Sequence, residues 1–358
     1  MTKIFVTGVT GYIGGDAIYA VTQAHPEYDI TCLVRNSDKG AQVVKDYPSF
    51  KLVYGDLDSA DLLEEEARKA DIVLNLAYAD HAGAAEAIIR GLGTHEPERP
   101  GFLIHCSGTG VLLIDDIKRD TYGEESDIVY DDLEGVSKVT SLPDDAPHRP
   151  VDKIVLAAGH TTGDVAKTAI VCPPTIYGAG RGPGNQRSHQ VPELARSTLE
   201  QGHGIQVNAG KARWSTVHVH DLADVFLKLV ENAAAGGSLA EWPDKPAVWG
   251  AEGYYFTENG EHVWGETAKV IAKEAKKQGF IDTDEVKSVS AEEAGKLTTW
   301  GQALWGANSR SRAKRARTVL GWKPSGPPIE EGIGSAVEYE AKQLAIKPGH
   351  AKVAAGDA

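Results

Sequence analysis

Short apolar runs alternate with amphipathic stretches through the first half of the chain. Five of the apolar runs have the length of buried strands and lie at residues 3–6, 30–34, 51–54, 72–77 and 102–106. Between them, apolar positions recur at helical spacing, most clearly at residues 60–67. Alternation of this kind predicts a parallel sheet with helices on both faces, and ligands then bind at the carboxyl ends of the strands.

The pattern changes twice further along the chain. Residues 114–150 are rich in aspartate and glutamate and have few apolar anchors, which predicts a long loop that is functional or partly mobile. A helical pattern at 151–158 and a strand at 168–172 resume the alternation, which ends near Gly178. Beyond Gly178 the composition shifts towards glycine, arginine, asparagine and tryptophan, and helices are predicted at residues 222–227, 267–277 and 329–344.

Three glycines, Gly8, Gly11 and Gly14, follow the first apolar run at three-residue spacing, and Tyr12 and Ile13 open an amphipathic helix. A helix N-terminus offers unpaired N–H donors and a positive dipole end, which suit a diphosphate. The first glycine permits a tight turn, the second lets the ligand approach the backbone, and the third lets helix and strand pack closely. The strand–turn–helix context therefore predicts a dinucleotide site at these five residues.

The end of the second predicted strand bears on which dinucleotide binds. A fold that prefers NAD places an acidic residue about twenty residues beyond the glycines, where it accepts the ribose 2′-hydroxyl. Here that place holds Arg35, with Ser37 and Lys39 just beyond it. Because arginine attracts a 2′-phosphate, we expect NADP(H) to be favoured over NAD(H).

These patterns predict an α/β chain with a Rossmann-type, doubly wound parallel sheet and a smaller, mixed C-terminal lobe for the substrate. The dinucleotide-binding domain is expected to span residues 1–178, with residues 215–260 contributing back to it. The substrate-binding lobe is expected to comprise residues 179–214 and 261–346. Residues 347–358 are predicted to be a disordered tail.

Composition and charge narrow the set of partners. The chain has 358 residues and a formal net charge of −14, which argues against nucleic acid or an anionic membrane as the main partner. The one basic cluster, at residues 310–317, is expected to be a solvated helix face. Three cysteines without metal-binding spacing predict free thiols, and no apolar stretch is long enough to span a bilayer. A small-molecule substrate and a cytoplasmic location are therefore expected.

Motifs spread along most of the chain carry a family resemblance. They are TGVTGYIGG from Thr7, GDL from Gly55, the strand-end Ser107, PPTIYG from Pro173, VHVHDLA from Val217 and LGWKP from Leu320. With these motifs the chain resembles an extended short-chain dehydrogenase/reductase, the group also called NAD-dependent epimerases/dehydratases. The resemblance implies that Asp56 and Leu57 meet the adenine, and that Leu76, Ala77 and Pro174 line the cofactor groove. It also suggests a possible homodimer through a helical face.

Catalysis in such enzymes uses a tyrosine that gives or takes the substrate proton and a lysine four residues later. The resemblance places that lysine at Lys153, where it would lower the pKa of the tyrosine and hold the cofactor ribose. Four residues earlier, however, the chain has Arg149, and an arginine cannot donate a proton near neutral pH. The serine that orients the substrate oxygen matches Ser107, with Thr109 as a second candidate.

The proton donor is therefore open at this point. His148 could serve, because the unperturbed pKa of a histidine side chain is near 6.5. Tyr130 or Tyr177 could instead swing into the site, or the relay could be lost. Structural roles compete with each assignment: a turn cap for Ser107, an exposed helix position for Lys153 and a solvated loop for His148.

The histidines of the VHVHDLA segment are candidates for a metal site. His218 and His220 are predicted to alternate on one strand face, but no third ligand is evident and no metal is expected. Asp221 is predicted to cap the helix that follows.

Sugar-nucleotide members of the group resemble one another in an arginine that clasps a diphosphate, and in this chain its place holds Trp214. An aromatic residue there favours an apolar or ring-bearing substrate. Arg213 and residues 184–187 still leave an anionic substrate open.

The leading hypothesis is an NADPH-dependent reductase of a small carbonyl compound of aromatic or polyketide-like type. The alternatives are an epimerase or isomerase that uses tightly bound cofactor, and a non-catalytic NADP-binding sensor.

Overall fold

The computed structural model describes residues 1–237 and 246–349, and a seven-stranded parallel sheet is its central element. Strands of this sheet are β1 (Lys3–Thr7), β2 (Asp29–Val34), β3 (Lys51–Tyr54), β4 (Ile72–Asn75), β5 (Gly101–Cys106), β7 (Ala166–Cys172) and β11 (Tyr254–Phe256). They are ordered β11-β7-β5-β4-β1-β2-β3. The chain therefore starts in the middle of the sheet and reverses direction there, and the predicted doubly wound α/β fold is confirmed.

The remaining strands form small sheets beside the central one. They are β6 (Tyr130–Asp131), β8 (Thr175–Tyr177), β9 (Gly204–Val207), β10 (Arg213–His218), β12 (Glu261–Val263), β13 (Val286–Val289) and β14 (Ser311–Arg312). β10 lies between β12 and β8, β9 pairs with β13, and β6 pairs with β14.

Helices connect and cover these strands. They are α1 (Tyr12–Ala24), α2 (Ser37–Asp46), α3 (Ala60–Lys69), α4 (Ala82–Leu92), α5 (Ile114–Arg119), α6 (Val136–Thr140), α7 (Arg149–Thr161), α8 (Gln190–Gln201), α9 (Val219–Ala234), α10 (Trp264–Lys277), α11 (Ala291–Leu297), α12 (Gly301–Gly306), α13 (Lys314–Val319) and α14 (Ile329–Gln343), with short 3-10 helices at Thr109–Leu113 and Gly250–Glu252. In the described part of the chain, no helix has the length and apolarity needed to cross a membrane.

Apolar side chains gather in two clusters. The larger surrounds the central sheet, in which every residue of β4 and β5 is buried, as expected for strands covered on both faces. The smaller joins α8, α10, α12 and α14 and includes Trp214, Trp264 and Trp305. Of the predicted tail, residues 350–358 lie outside the described residues.

The prediction of a long loop over residues 114–150 holds only in part, because the segment contains α5, β6 and α6 between its irregular stretches. Some of its side chains also contact distant parts of the chain. Asp116 accepts hydrogen bonds from the backbone and side-chain nitrogens of Asn308, at 2.7 and 2.8 Å. Short elements of this kind gain their stability from tertiary contacts, which local periodicity does not reveal.

The predicted roles of the VHVHDLA segment also need correction. β10 ends at His218 and α9 begins at Val219, so His218 and His220 do not share a strand face. His218, not Asp221, is the N-cap: its Nδ1 accepts from the backbone N–H of His220 at 3.2 Å. Asp221 instead accepts from the backbone N–H groups of Ser325 and Gly326, at 2.9 and 2.8 Å. The side chains therefore hold the end of β10 and the segment after α13.

Candidate active site

A cavity of about 1000 Å³ opens at the carboxyl ends of the central strands. Its size is at the upper end of the range for ligand pockets. Nine of the residues predicted for the catalytic and cofactor sites line it: Gly11, Tyr12, Ile13, Leu76, Ala77, Ser107, Thr109, His148 and Pro174. Another part of the wall comes from the smaller apolar cluster, including residues of α12.

The glycine turn has the geometry that a diphosphate requires. Gly8 has a φ of 81°, and a Cβ there would lie 2.5 Å from the carbonyl oxygen of Leu76. A Cβ at Gly14 would lie 2.2 Å from the carbonyl oxygen of Gly8, so α1 can approach β1 only because this residue is glycine. Gly8 and Gly14 therefore allow the close packing of the turn, while Gly11 lines the cavity.

The N-terminus of α1 is open to a ligand. Its N-cap, Gly11, makes no side-chain capping bond, and the first turn contains no acidic residue. Backbone N–H groups and the positive end of the helix dipole are thus available to phosphate oxygens. Tyr12 fixes this helix end, because its hydroxyl donates to the carbonyl oxygen of Gly178 at 2.6 Å. These residues fit a dinucleotide.

The other predicted cofactor residues lie outside the cavity wall. Arg35 follows β2 directly and is exposed, and the next residue, Asn36, caps α2 by accepting from the backbone N–H of Lys39 at 3.0 Å. Asp56 accepts from Ser59 Oγ at 2.9 Å, so its carboxylate is engaged within its own turn. The adenine contacts of Asp56 and Leu57 and the phosphate contact of Arg35 stay predictions.

Ser107 lies at the end of β5 on the floor of the cavity. The loop that contains Ser107 is hydrogen-bonded to β7 and to the residues that follow β7. The backbone N–H of Ser107 donates to the Val171 carbonyl at 2.8 Å, and that of Thr109 donates to the Pro173 carbonyl at 2.9 Å. The Thr109 carbonyl in turn accepts from Ser309 Oγ at 2.8 Å. The side chain at 107 is therefore held on a rigid element beside the cofactor groove.

His148 and Asp80 form a hydrogen-bonded pair on the cavity wall. The imidazole Nδ1 lies 2.8 Å from Asp80 Oδ1, and this contact holds the pKa of the Asp80 carboxyl below its ordinary value. An ionised carboxylate only accepts, so Nδ1 carries the proton and Nε2 is the nitrogen that can exchange one. Nε2 packs over the loop after β5: Cβ atoms built at Gly108 and Gly110 would lie 3.1 and 2.9 Å from it.

Arg149 occupies the position of the expected tyrosine but does not line the cavity. It is buried, and its guanidinium donates to the carbonyl oxygens of Leu142 (3.1 Å) and Thr140. It thereby ties the segment before α7 to the helix itself. His148 immediately precedes this anchor with a left-handed backbone (φ 63°), an uncommon conformation for a residue with a side chain. Arg149 thus positions the segment that presents the imidazole.

The structure does not bring Lys153, Tyr177 or Tyr130 to the cavity wall. The ammonium of Lys153 pairs with Asp144 Oδ2 at 2.7 Å near the surface, and its contact with the ribose stays a prediction. The Tyr177 hydroxyl donates to the Pro327 carbonyl at 2.7 Å, and burial raises its pKa to about 12. Tyr130 belongs to β6, which pairs with β14. None of the three is placed to exchange a substrate proton in this conformation.

Asp152 lies one helical turn beyond His148 and is 1% exposed. Burial raises its pKa to about 6, and the nearby hydroxyls of Ser107 and Tyr254 offset part of the rise. Tyr254 donates to Asp152 Oδ2 at 2.9 Å. The folded protein therefore favours the protonated carboxyl more than the unfolded chain does.

This shift predicts a pH dependence of stability. Because the folded pKa lies above the unfolded one, the contribution of Asp152 is fully present below pH 3.8 and is lost as the pH rises through about 6. Asp152→Asn keeps an oxygen for Tyr254 and cannot ionise. As the pH rises from 4.5 to 7.5, we expect the free energy of unfolding of the variant to increase by about 2 kcal/mol relative to that of the wild type. Urea titrations at both pH values measure it, and parallel pH profiles would contradict it.

Among the cavity-lining residues that the sequence analysis did not single out are Asp80 and Trp300. Asp80 closely follows the predicted edge at Leu76 and Ala77, so the strand-end position was an available signal for it. Trp300 lies before α12, and its left-handed backbone (φ 64°) gave no signal in the sequence.

The aromatic residue in the place of the sugar-nucleotide arginine does line the cavity. Trp214 is buried and donates its indole N–H to the Ala307 carbonyl at 2.7 Å. Arg213 does not line the cavity, and its guanidinium lies 3.3 Å from Glu125.

Comparison with known proteins gives a consistent family. The model of the NAD dependent epimerase/dehydratase family matches residues 4–92 and 129–241. An Acremonium protein named oxidase ucsJ is 43% identical over 344 residues, which cover 96% of this chain and 99% of the relative.

Solved structures share the fold at low identity. The dTDP-glucose 4,6-dehydratase of Bacillus anthracis in complex with NAD is 15% identical, covers 96% of this chain and 98% of its own, and has a TM-score of 0.64. The UDP-glucose 4-epimerase of Thermotoga maritima with UDP-glucose is 14% identical, covers 96% of this chain and 100% of its own, and has a TM-score of 0.60.

Proposed function

This chain belongs to the NAD dependent epimerase/dehydratase family, and from that premise we propose that it is an NADP(H)-dependent oxidoreductase that interconverts a carbonyl and an alcohol in a small substrate. The observation that carries the proposal is the pair of His148 and Asp80 on the wall of the cavity that also contains the glycine turn and Ser107. It supplies a proton-transfer group where the family tyrosine is absent.

The residues at the glycine turn would hold the cofactor. The open N-terminus of α1 would bind the diphosphate, and Leu76, Ala77 and Pro174 would line the groove for the rest of the dinucleotide. Arg35, exposed after β2, would bind the 2′-phosphate that distinguishes NADP(H). When bound, the nicotinamide gives a hydride to a carbonyl carbon or takes one from the corresponding alcohol carbon.

The chain itself handles the proton of this reaction. In the reducing direction His148 Nε2 donates a proton to the carbonyl oxygen, and in the oxidising direction it accepts the alcohol proton. Asp80 keeps Nδ1 protonated in both directions and stabilises the imidazolium form. Ser107 donates a hydrogen bond to the same oxygen from the end of β5. One carbonyl, one hydride and one proton together give one alcohol, so the reaction is balanced.

Purified protein, NADPH or NADP⁺ and a panel of carbonyl compounds and alcohols test the proposal. We expect a change in absorbance at the nicotinamide band together with formation of one alcohol per NADPH consumed. Isomerisation without net oxidation of the nucleotide would favour the epimerase instead. Tight nucleotide binding without turnover of any compound would favour the sensor.

A further inference from the structure

Apart from the glycine turn, a large part of the cavity wall is built from apolar side chains. Leu113, Ile117, Trp214, Ala303 and Leu304 line it. The indole N–H of Trp214 is already bound to the Ala307 carbonyl, so this residue offers a ligand its ring and no free donor. Apolar walls with few polar groups bind ligands by burying their apolar surface.

The charge of the single basic side chain on this wall is already neutralised. Arg187 is the only lysine or arginine among the described residues that line the cavity. Its Nε lies 2.5 Å from Glu340 Oε1 and its Nη2 lies 2.8 Å from Glu193 Oε1, and these two carboxylates raise its pKa. Glu340 is 1% exposed, so its charge cannot be screened by water as a surface charge is. Arg187 therefore lacks the net charge needed to attract an anion.

The two acidic side chains along the wall are paired as well. Asp80 is held by His148, and Asp145 accepts from Lys118 Nζ at 2.8 Å. Away from the glycine turn, the described wall thus presents two paired carboxylates, one compensated arginine and the imidazoles of His148 and His189. This part of the described wall therefore has no uncompensated lysine or arginine to bind a second diphosphate in addition to that of the cofactor.

Trp300 supplies an exposed aromatic surface at the same cavity. It is 61% exposed, an uncommon state for an indole that lines a pocket. Its left-handed backbone is held by the N–H groups of Ala303 and Leu304, which both donate to the Trp300 carbonyl at 2.9 Å. Strained backbone of this kind persists where the surrounding structure over-determines it and is concentrated at ligand sites. A ligand that covered the indole would remove its apolar surface from water.

We propose that this part of the cavity binds an uncharged, apolar, ring-bearing substrate that packs against Trp300 and Trp214, and that it does not accept a nucleotide diphosphate sugar. The inference rests on the proposed function, since it names the substrate class of the same site. It also makes Trp300 a specificity-determining residue. The apolar wall supplies the affinity, and the compensated Arg187 sets the selectivity against anions.

Three probes separate these charge classes: 2-acetylnaphthalene, its anionic counterpart 2-naphthoate, and UDP-glucose. Calorimetric titration in the presence of saturating NADP⁺ measures binding without requiring turnover. We expect 2-acetylnaphthalene to bind at least about tenfold more tightly than 2-naphthoate and UDP-glucose not to bind. UDP-glucose binding as tight as that of the ketone, or no ketone binding up to its solubility limit, would overturn the inference.

Variants test the two residues separately. Trp300→Ala is expected to weaken 2-acetylnaphthalene binding about tenfold, whereas Trp300→Phe and the surface control Tyr339→Ala leave it within about twofold. Glu193→Gln removes one partner of Arg187 and is expected to strengthen 2-naphthoate binding several-fold. Unchanged ketone binding in Trp300→Ala, or unchanged naphthoate binding in a folded Glu193→Gln protein, counts against the proposal. Ketone binding without turnover of any compound would leave the inference standing and remove the proposed function.

Discussion

Replacing His148 with glutamine is expected to lower kcat by about 10²- to 10⁴-fold, the contribution of one positioned acid–base group. Glutamine keeps a polar group of similar size but cannot exchange a proton. Because the exchange leaves the glycine turn and the predicted cofactor groove unchanged, the dissociation constant for NADPH should change by less than about threefold. Stopped-flow turnover and fluorescence titration of NADPH measure the two effects.

Two further variants give this experiment its controls. Asp80→Asn removes the carboxylate that fixes the Nδ1 proton, so an intermediate loss of turnover with a shifted pH profile is expected. His160→Gln changes an exposed histidine in the last turn of α7, which does not line the cavity, and should leave turnover unchanged. Full activity in the His148→Gln variant would exclude this residue from catalysis, and Lys153 or a mobile tyrosine would then be the candidate catalytic residue.

Replacing Arg35 with glutamate is expected to raise the dissociation constant for NADPH by about 10- to 100-fold, the loss of one charge-assisted pair of about 1.5–3 kcal/mol. The side chain is exposed directly after β2, so the exchange should not disturb the fold. NADH lacks the 2′-phosphate and is the internal control, because its affinity should stay the same or improve slightly. Equal weakening of both nucleotides would place Arg35 outside the phosphate site.

The two residues of the proposed acid–base pair illustrate what sequence reasoning could not reach. Asp80 and His148 are 68 positions apart, and their contact follows from the packing of the segment before α7 against the end of β4. His148 itself was a candidate because a titratable residue stood beside the expected tyrosine position. Its orientation depends on Arg149, whose guanidinium bonds to Leu142 and Thr140 are invisible to periodicity.

The sequence also left open which charged side chains are paired and which side chains face the cavity. Lys153 lies four residues after the expected tyrosine position, yet its ammonium is paired with Asp144. The position of a lysine on a helix does not determine where its long, flexible side chain points. Arg187 seemed to leave an anionic substrate open, and only the structure reveals that Glu193 and Glu340 compensate it. Trp300 was not considered at all, since its significance lies in a backbone conformation.

The sequence by itself determined the parallel sheet, the strand–glycine–helix turn and hence the class of ligand at the amino end of α1. These features are local: apolar periodicity marks buried strands, and a helix terminus has the same unpaired amides wherever it occurs. Only the tertiary structure decided which side chains face the cavity, which charges are cancelled and which histidine nitrogen is free. Those properties depend on pairs of residues far apart in the chain, whose distances are fixed by packing and not by spacing.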